Sequence, residues 1–300
     1  DTPFFLAVGF FRPHTPFVAP KKYFDFYDRE KIVIPEIPNE YLATLPEPAV
    51  KSIRAKKDQL NLEKELAQEI KEAYYATISF VDTQVGRILD QLEASGLDKN
   101  TVVVFTSDHG YHLGEHGHWQ KNTLFENATR IPLIISAPNS ENKGEKSMSP
   151  VELIDLYPTL MDLTSINTPQ HVVGKSLEPL MKNVNASVRG SALTRWRKGY
   201  SIKTKRYRLT KWGSNGELGY ELYDHKNDKN ELINLASNQD YNEVMDSLKL
   251  VIEQRIADAS IKPEGLGRQL ENAKPMYKAK NITFGDIHDT NSEIMYFKSK

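Results

Sequence analysis

The segment from about Glu63 to Ser95 constrains the fold of this chain more than any other. Its apolar residues recur at spacings of three and four, and Gly96 follows at the usual C-cap position, so the pattern predicts a long amphipathic helix. Short apolar runs at Phe4–Phe10 and Thr101–Thr106 flank it, and both are typical of strands buried on two faces. Strand, helix and strand together predict a βαβ unit with parallel strands, and hence an α/β fold.

The predicted βαβ unit brings two polar residues to one place. His14 follows the first predicted strand and Asp108 follows the second. Because the carboxyl ends of parallel strands share one edge of a sheet, we expect both residues at the edge where open α/β sheets bind ligands.

The remainder of the chain divides by its hydrophobic pattern. Residues 131–136 predict a third strand, and Ser149 is a candidate N-cap for a helix that runs to Leu163 and is kinked or broken at Pro158. After about residue 185, aromatic and aliphatic residues alternate with charged ones, which predicts an antiparallel meander covered by a short helix near 242–257. We therefore expect part of a large α/β domain at 1–185, a small antiparallel sheet-and-helix subdomain at 186–258, and an extension or linker at 259–300.

Charge and composition exclude several classes of protein. The chain of 300 residues carries 39 basic and 40 acidic side chains, a formal net charge of -1, which gives no electrostatic basis for binding nucleic acid or an anionic membrane. It contains no cysteine, which excludes disulfides, cysteine-ligated metal sites and a thiol nucleophile within these residues.

Half of the eight histidines lie within ten residues, at positions 109, 112, 116 and 118. A zinc-binding helix is one interpretation, but the spacing of Glu115 does not match the zinc-protease motif, and three glycines disfavour a helix. The other interpretation places only Asp108 and His109 on a hard cation such as calcium. Two ligands do not complete such a shell, so further ligands would have to come from elsewhere.

Four segments resemble successive motifs of the type I sulfatases, within their iduronate-2-sulfatase-like branch. They are Arg12-Pro-His-Thr-Pro-Phe17 after the apolar run, Thr106-Ser-Asp-His-Gly-Tyr-His-Leu-Gly-Glu-His-Gly-His-Trp-Gln-Lys121, Arg130-Ile-Pro-Leu133 and Val151-Glu-Leu-Ile-Asp-Leu-Tyr-Pro-Thr-Leu160. The similarity continues to about residue 235. It implies an alkaline-phosphatase-like α/β fold, with a mixed sheet between helices and a small C-terminal antiparallel subdomain.

The resemblance also implies the chemistry of the site. A sulfatase hydrolyses sulfate esters with a calcium ion, for which Asp108 and His109 would be ligands. His14 would protonate the leaving alkoxide and Lys121 would bind sulfate oxygens. These roles suit the reaction, since a dispersed anion needs a cluster of cations and the leaving oxygen needs an acid.

Other parts of the family's site are absent from the sequence. The family's nucleophile is a formylglycine made in a Cys/Ser-x-Pro-x-Arg motif, which does not occur here, and the early paired aspartates and the Lys-x-x-His segment are absent too. The chain begins without Met, straight into an apolar run. We therefore expect an N-terminally truncated piece, inactive alone, whose site is completed by the missing N-terminal segment.

The sequence leaves several alternatives open. Arg12, His116 and Trp119 are candidate substrate-binding residues, for a partner expected to be a sulfated saccharide such as a sulfated uronate. His112, His116 and His118 could instead shape the pocket or be structural, and Trp119 could pack rather than stack on a sugar. Rival functions are a phosphate or phosphonate ester hydrolase of the same superfamily and a non-catalytic glycan-binding homologue. The family's habits suggest a periplasmic or extracellular location in a bacterium and a lysosomal one in an animal.

Overall fold

The computed structural model describes residues 2–38, 40–138, 140 and 142–261. The chain divides into two compact units, of which the first comprises Asp1–Thr168 and Gly174–Ser260 and the second Pro169–Val173 and Ile261–Lys300. All elements below belong to the first unit. The predicted extension at 259–300 lies almost wholly outside the described residues.

The first unit contains helices and strands in the following order. These are α1 (Lys21–Phe24), α2 (Glu47–Ile53), α3 (Lys64–Ala94), β1 (Val103–Thr106), α4 (Glu126–Thr129), β2 (Leu133–Ser136), α5 (Leu156–Leu163), α6 (Glu178–Lys182), β3 (Ala192–Trp196), β4 (Gly199–Lys203), β5 (Tyr207–Trp212), β6 (Tyr220–Asp224) and α7 (Asn242–Ser260). Short 3₁₀ turns connect several of them, among them Tyr41–Thr44 and Glu115–Gly117. None of the helices in the described part of the chain is both long and apolar enough to cross a membrane.

The long helix predicted from apolar spacing is confirmed as α3. It ends at Ala94, and Gly96 beyond it has a φ of 71°, the left-handed conformation that glycine adopts without steric cost. α3 leads through a 3₁₀ turn into β1, and the candidate site residues Asp108 and His109 follow β1.

The predicted parallel βαβ unit is wrong for the described residues. β1 pairs with β2, and the pairing is antiparallel, with Phe105 opposite Ile134. The run from Phe4 to Phe10 forms no strand, and Phe5 is 84% exposed. Its apolar composition resembles that of a buried strand, but a strand requires a hydrogen-bonded neighbour, and the run pairs with no other described strand.

The C-terminal meander is confirmed. Strands β3, β4, β5 and β6 form one antiparallel sheet in that order. One face packs on α7, where Ile202, Leu209 and Leu222 meet residues of the helix such as Met245 and Ile252. The predicted covering helix is therefore present as α7, and it leaves the other face of the sheet free to contact the rest of the unit.

That second face forms a core with the residues around the candidate site. Tyr41, Phe125, Trp212 and Tyr223 are all buried there. Among them lies Glu221, whose carboxylate accepts hydrogen bonds from Trp212 Nε1 at 2.6 Å and from the Tyr223 hydroxyl at 2.8 Å. Burial raises the pKa of Glu221 to about 7 in spite of these bonds.

The segment before α5 differs from its prediction. The N-cap is Glu152 rather than Ser149, and Glu152 and Asp155 form a capping box around the turn Leu153–Asp155. Pro158 lies in the first turn of α5, where a proline is tolerated. Arg189 binds both carboxylates of this capping box. Its guanidinium donates to Asp155 Oδ2 at 3.0 Å and to Glu152 Oε2 at 2.7 Å.

Candidate active site

Asp108 and His109 follow β1 directly, as predicted. His109 Nδ1 lies 2.8 Å from the carbonyl oxygen of Gly110 and donates to it, which leaves the Nε2 lone pair 3.7 Å from Asp108 Oδ1. The Asp108 side chain is 84% exposed. The backbone thus orients the imidazole so that one nitrogen and one carboxylate are adjacent and accessible.

Gly110 fixes the direction in which this pair points. Its amide donates to the carbonyl oxygen of Ala128 in α4 at 2.8 Å. A side chain here would collide with the backbone carbonyl oxygen of Asn127. The close approach of two backbone segments therefore explains the glycine in Asp-His-Gly.

Replacing Gly110 with Ala is expected to lower the free energy of unfolding by at least about 2 kcal/mol, because backbone rather than a flexible side chain must yield. Gly86→Ala is the matched control. Gly86 lies within α3 with open space around its Cα, so its replacement should stabilise the chain by up to about 1 kcal/mol. Urea denaturation of both variants checks the opposite signs. Equal effects at the two positions would contradict the close approach.

Three histidines anchor the loop after Gly110 within the core. His112, His116 and His118 are each at most 2% exposed, and the ring centroid of His112 lies 5.4 Å from that of His116 and 5.0 Å from that of His118. His112 Nε2 accepts from the hydroxyl of Thr123 at 2.8 Å, and His118 Nδ1 donates to the carbonyl oxygen of Ile53 at 2.8 Å. This loop contains the 3₁₀ turn Glu115–Gly117 but no α-helix, which agrees with the sequence argument against a zinc-binding helix.

Burial keeps all three rings neutral near pH 7. It lowers the pKa of His112 well below the usual value, that of His116 to about 4, and that of His118 in the same direction. His116 stacks on Phe125 with ring centroids 3.9 Å apart, and its Nδ1 lies 2.5 Å from the hydroxyl oxygen of Tyr41. These contacts favour a structural role for the three rings, and substrate binding by His116 stays a prediction.

His14 lies in an exposed loop before α1. Its Nδ1 donates to the carbonyl oxygen of Thr15 at 2.8 Å, so the other ring nitrogen is the one available for chemistry. Arg12 braces the same loop, because its Nε donates to the carbonyl oxygen of Val18 at 3.1 Å. Phe17, in the same motif, makes edge-on contacts with Tyr111 and Tyr74, at centroid distances of 6.1 and 5.4 Å. The loop that carries His14 therefore packs beside the segment that carries His109.

Lys121 and Trp119 lie at the far end of the histidine loop. Lys121 is half-buried, whereas Trp119 is only 6% exposed and packs near Gly114. The burial of Trp119 favours the packing alternative over a sugar-stacking platform. The roles of Lys121 in sulfate binding and of Arg12 in substrate binding stay predictions.

An ionic network joins α4, which follows this loop, to the C-terminal sheet. Arg208 in β5 forms ion pairs with Glu126 and with Glu231, whose Oε1 also lies 2.6 Å from His225 Nε2. Glu126, His225 and Glu231 are, within the described ranges, the one group of three whose potential ligand atoms all lie within 4.8 Å of one another. The Arg208 guanidinium already supplies the positive charge in that group. Sequence reasoning missed Tyr41, Arg208 and Glu231, because nothing local in the sequence links them to the loop.

Two family models match the chain. The model named Sulfatase covers residues 1–166, and the model of the C-terminal region of N-sulphoglucosamine sulphohydrolase covers residues 114–258. The chain belongs to the sulfatase family. The two matches overlap at residues 114–166, which include His116, His118 and α4.

Known sulfatases and related enzymes resemble this chain over much of its length. A sulfatase of Formosa agariphila is 36% identical over 254 residues, covering 83% of this chain and 49% of that protein. Human iduronate 2-sulfatase is 36% identical over 204 residues, covering 56% of this chain and 37% of its own length. The chain thus spans about half the length or less of these two relatives.

A solved structure shares the fold. The phosphonate monoester hydrolase of Silicibacter pomeroyi superposes with a TM-score of 0.74 at 26% sequence identity, over 84% of this chain and 55% of that one. The predicted α/β fold with a small antiparallel C-terminal sheet is thereby confirmed, and the described sheets are those of a sulfatase-like fold.

Proposed function

We propose that the protein to which this chain belongs hydrolyses sulfate esters of a saccharide. The observation that carries the proposal is the adjacent pair Asp108 and His109 at the end of β1, within a chain of the sulfatase family. Relatives named as iduronate 2-sulfatase and as N-acetylglucosamine-6-O-sulfatase support a sugar substrate. We propose a sulfated uronate within a glycosaminoglycan-like chain.

The geometry of the pair supports a place in a calcium shell. A carboxylate oxygen and the lone pair of an imidazole nitrogen lie side by side, and the hydrogen bond from His109 Nδ1 to a backbone carbonyl fixes the ring. Calcium takes at least about six ligands, so the pair would hold it only with ligands from other residues. When bound, the ion would neutralise negative charge on the sulfate.

The remaining steps use side chains of this chain. The hydrogen bond from His14 Nδ1 to the carbonyl oxygen of Thr15 keeps one proton on Nδ1. In the imidazolium form, the second proton, on Nε2, can therefore pass to the leaving oxygen as the bond from sulfur to that oxygen breaks. Lys121 would bind sulfate oxygens with its ammonium group. The aromatic contact between Phe17 and Tyr111 keeps the loops of His14 and His109 adjacent.

We propose that the nucleophile, a formylglycine, belongs to a segment preceding these residues in the full-length protein. The 300 residues alone would then lack turnover. Secretion to the periplasm or cell exterior of a bacterium, or delivery to an animal lysosome, suits a sulfated saccharide as substrate.

A phosphonate or phosphate ester hydrolase is the second candidate, favoured by the likeness to the phosphonate monoester hydrolase. The test compares kcat/KM of the full-length protein for an aryl sulfate and an aryl phosphonate monoester that share one leaving group. We expect the sulfate to be preferred by at least about 100-fold, a difference of about 2.7 kcal/mol in transition-state binding. Preference for the phosphonate would reject sulfate as the substrate class.

A further inference from the structure

We propose that Arg208 and Glu231, in the C-terminal part of the chain, are positioning residues. Through helix α4 they fix the orientation of Asp108 and His109. The inference rests on the proposed function only in treating Asp108 and His109 as metal ligands. The mechanical link itself stands on contacts within the described residues. It gives the C-terminal sheet, through Arg208 of β5, a part in orienting the Asp108–His109 pair.

The link begins at a buried guanidinium with a partner on each of its three nitrogens. Arg208 has a side chain only 2% exposed and donates through Nε to Glu231 Oε1 at 2.5 Å and through Nη1 to Ser201 Oγ at 3.1 Å. Its Nη2 pairs with Glu126. Burial of the charges of Arg208 and Glu231 costs free energy unless each is paired, and Glu126, 19% exposed, adds a second carboxylate to Arg208. Arg208 therefore holds Glu126 and Glu231 in one arrangement.

Glu231 also contacts the start of α4 directly, in addition to its link through Arg208. Its Oε2 accepts the backbone amide of Glu126 at 2.7 Å. Glu126 is thus held by both its side chain and its backbone. The carboxylate of Glu231 stays ionised in this position. Burial opposes ionisation, but Arg208 and His225 outweigh it and lower the pKa of Glu231 to about 2.

The link ends at the candidate ligands. α4 is a single turn, so fixing Glu126 also fixes Ala128, whose carbonyl oxygen accepts the amide of Gly110 at 2.8 Å. Gly110 in turn presents the carbonyl oxygen that orients the ring of His109. A displacement of α4 therefore reaches His109 through one backbone hydrogen bond, from Gly110 to Ala128, and one side-chain hydrogen bond, from His109 to Gly110.

A second buried arginine in the same chain supplies a matched control. Arg189 is 3% exposed and also pairs with two carboxylates, Glu152 and Asp155. That network lies around α5 and, among the residues that the structure describes, shares no ion pair with Arg208, Glu126 or Glu231. Arg208→Met and Arg189→Met should each destabilise the protein, so lost stability alone distinguishes nothing.

The test is hydrogen exchange in the full chain under native conditions. We expect Arg208→Met to speed amide exchange across residues 109–118 at least about tenfold relative to Arg189→Met, with exchange in α3 matched between the two. Glu126→Gln and Glu152→Gln are a milder pair in which each retains an acceptor, in case the arginine variants do not fold. Equal exchange at 109–118 within both folded pairs would overturn the proposal.

A calcium titration of the full-length protein adds a functional readout. We expect Glu126→Gln to raise the Kd for calcium by about tenfold, as is typical when a residue that orients a metal ligand is replaced. Glu152→Gln should leave the Kd unchanged. If the unmutated protein binds no calcium, the proposed metal site fails, whereas the exchange comparison still decides the positioning role by itself.

Discussion

Replacing Asp108 with Ala in the full-length protein is expected to lower kcat/KM for a sulfate ester by at least about 1000-fold, because loss of a charge-stabilising group in an active site typically costs about two to three orders of magnitude or more. The side chain is 84% exposed and forms no buried ion pair, so its removal should change the free energy of unfolding by less than about 0.5 kcal/mol. Activity and stability are thereby separated at this position. Steady-state kinetics and a urea titration on the same preparation measure both.

Asp90→Ala is the control for Asp108→Ala. Asp90 is another exposed aspartate, near the end of α3 and apart from the loop after β1. Its replacement should leave kcat/KM unchanged. If Asp108→Ala retained at least half of the activity, Asp108 would not be a ligand or a stabiliser of the reacting groups.

The second large effect concerns pH. Burial lowers the pKa of His116 to about 4, against about 6.5 for an exposed histidine, so the unfolded chain binds this proton more readily than the folded one. The stability contributed by neutral His116 is present above pH 6.5 and is lost as the pH falls towards 4. Between pH 7 and pH 5 this single group should account for about 2 kcal/mol of lost stability.

His116→Phe tests this contribution. Phenylalanine can keep the stacking on Phe125, and Tyr41 retains the carbonyl oxygen of Glu231 at 3.4 Å as a partner. The variant should be somewhat less stable at pH 7, but its loss on acidification from pH 7 to pH 5 should be about 2 kcal/mol smaller than that of the unmutated chain. Glu221, with its raised pKa, opposes the trend in both proteins, so the difference between them reports His116 together with its electrostatic coupling to His112.

Urea titrations at pH 7 and pH 5 provide the measurement. His171→Gln, at an exposed position, serves as the control and should leave the pH dependence unchanged. An unaltered pH dependence in His116→Phe would show that the ring is not buried in its neutral form.

Hydrophobic periodicity predicted correctly those helices and strands whose formation is set by nearby residues in the sequence. α3 follows from apolar spacing, and β3 to β6 follow from alternation with one face on α7. The strand predicted at Phe4–Phe10 failed, because an apolar run shows that burial is favourable but does not supply a pairing edge. The same limit applies to β1, since its antiparallel partner β2 is set by tertiary contact rather than by local pattern.

The candidate site divides in a similar way. Asp108, His109 and Gly110 were visible as a motif, and their backbone environment explains the glycine. The supports of that motif were not visible. Tyr41 meets His116 across 75 positions and Arg208 meets Glu126 across 82, and no local pattern encodes contacts of that separation.

The most direct test of the central claim is the release of sulfate from a sulfated uronate oligosaccharide by the full-length protein, measured by ion chromatography beside its Asp108→Ala variant. We expect stoichiometric sulfate release by the unmutated protein and release reduced by at least about 1000-fold in the variant. Absence of release from every sulfated saccharide and aryl sulfate by a folded full-length protein would contradict the proposed function, as would equal rates for the two proteins.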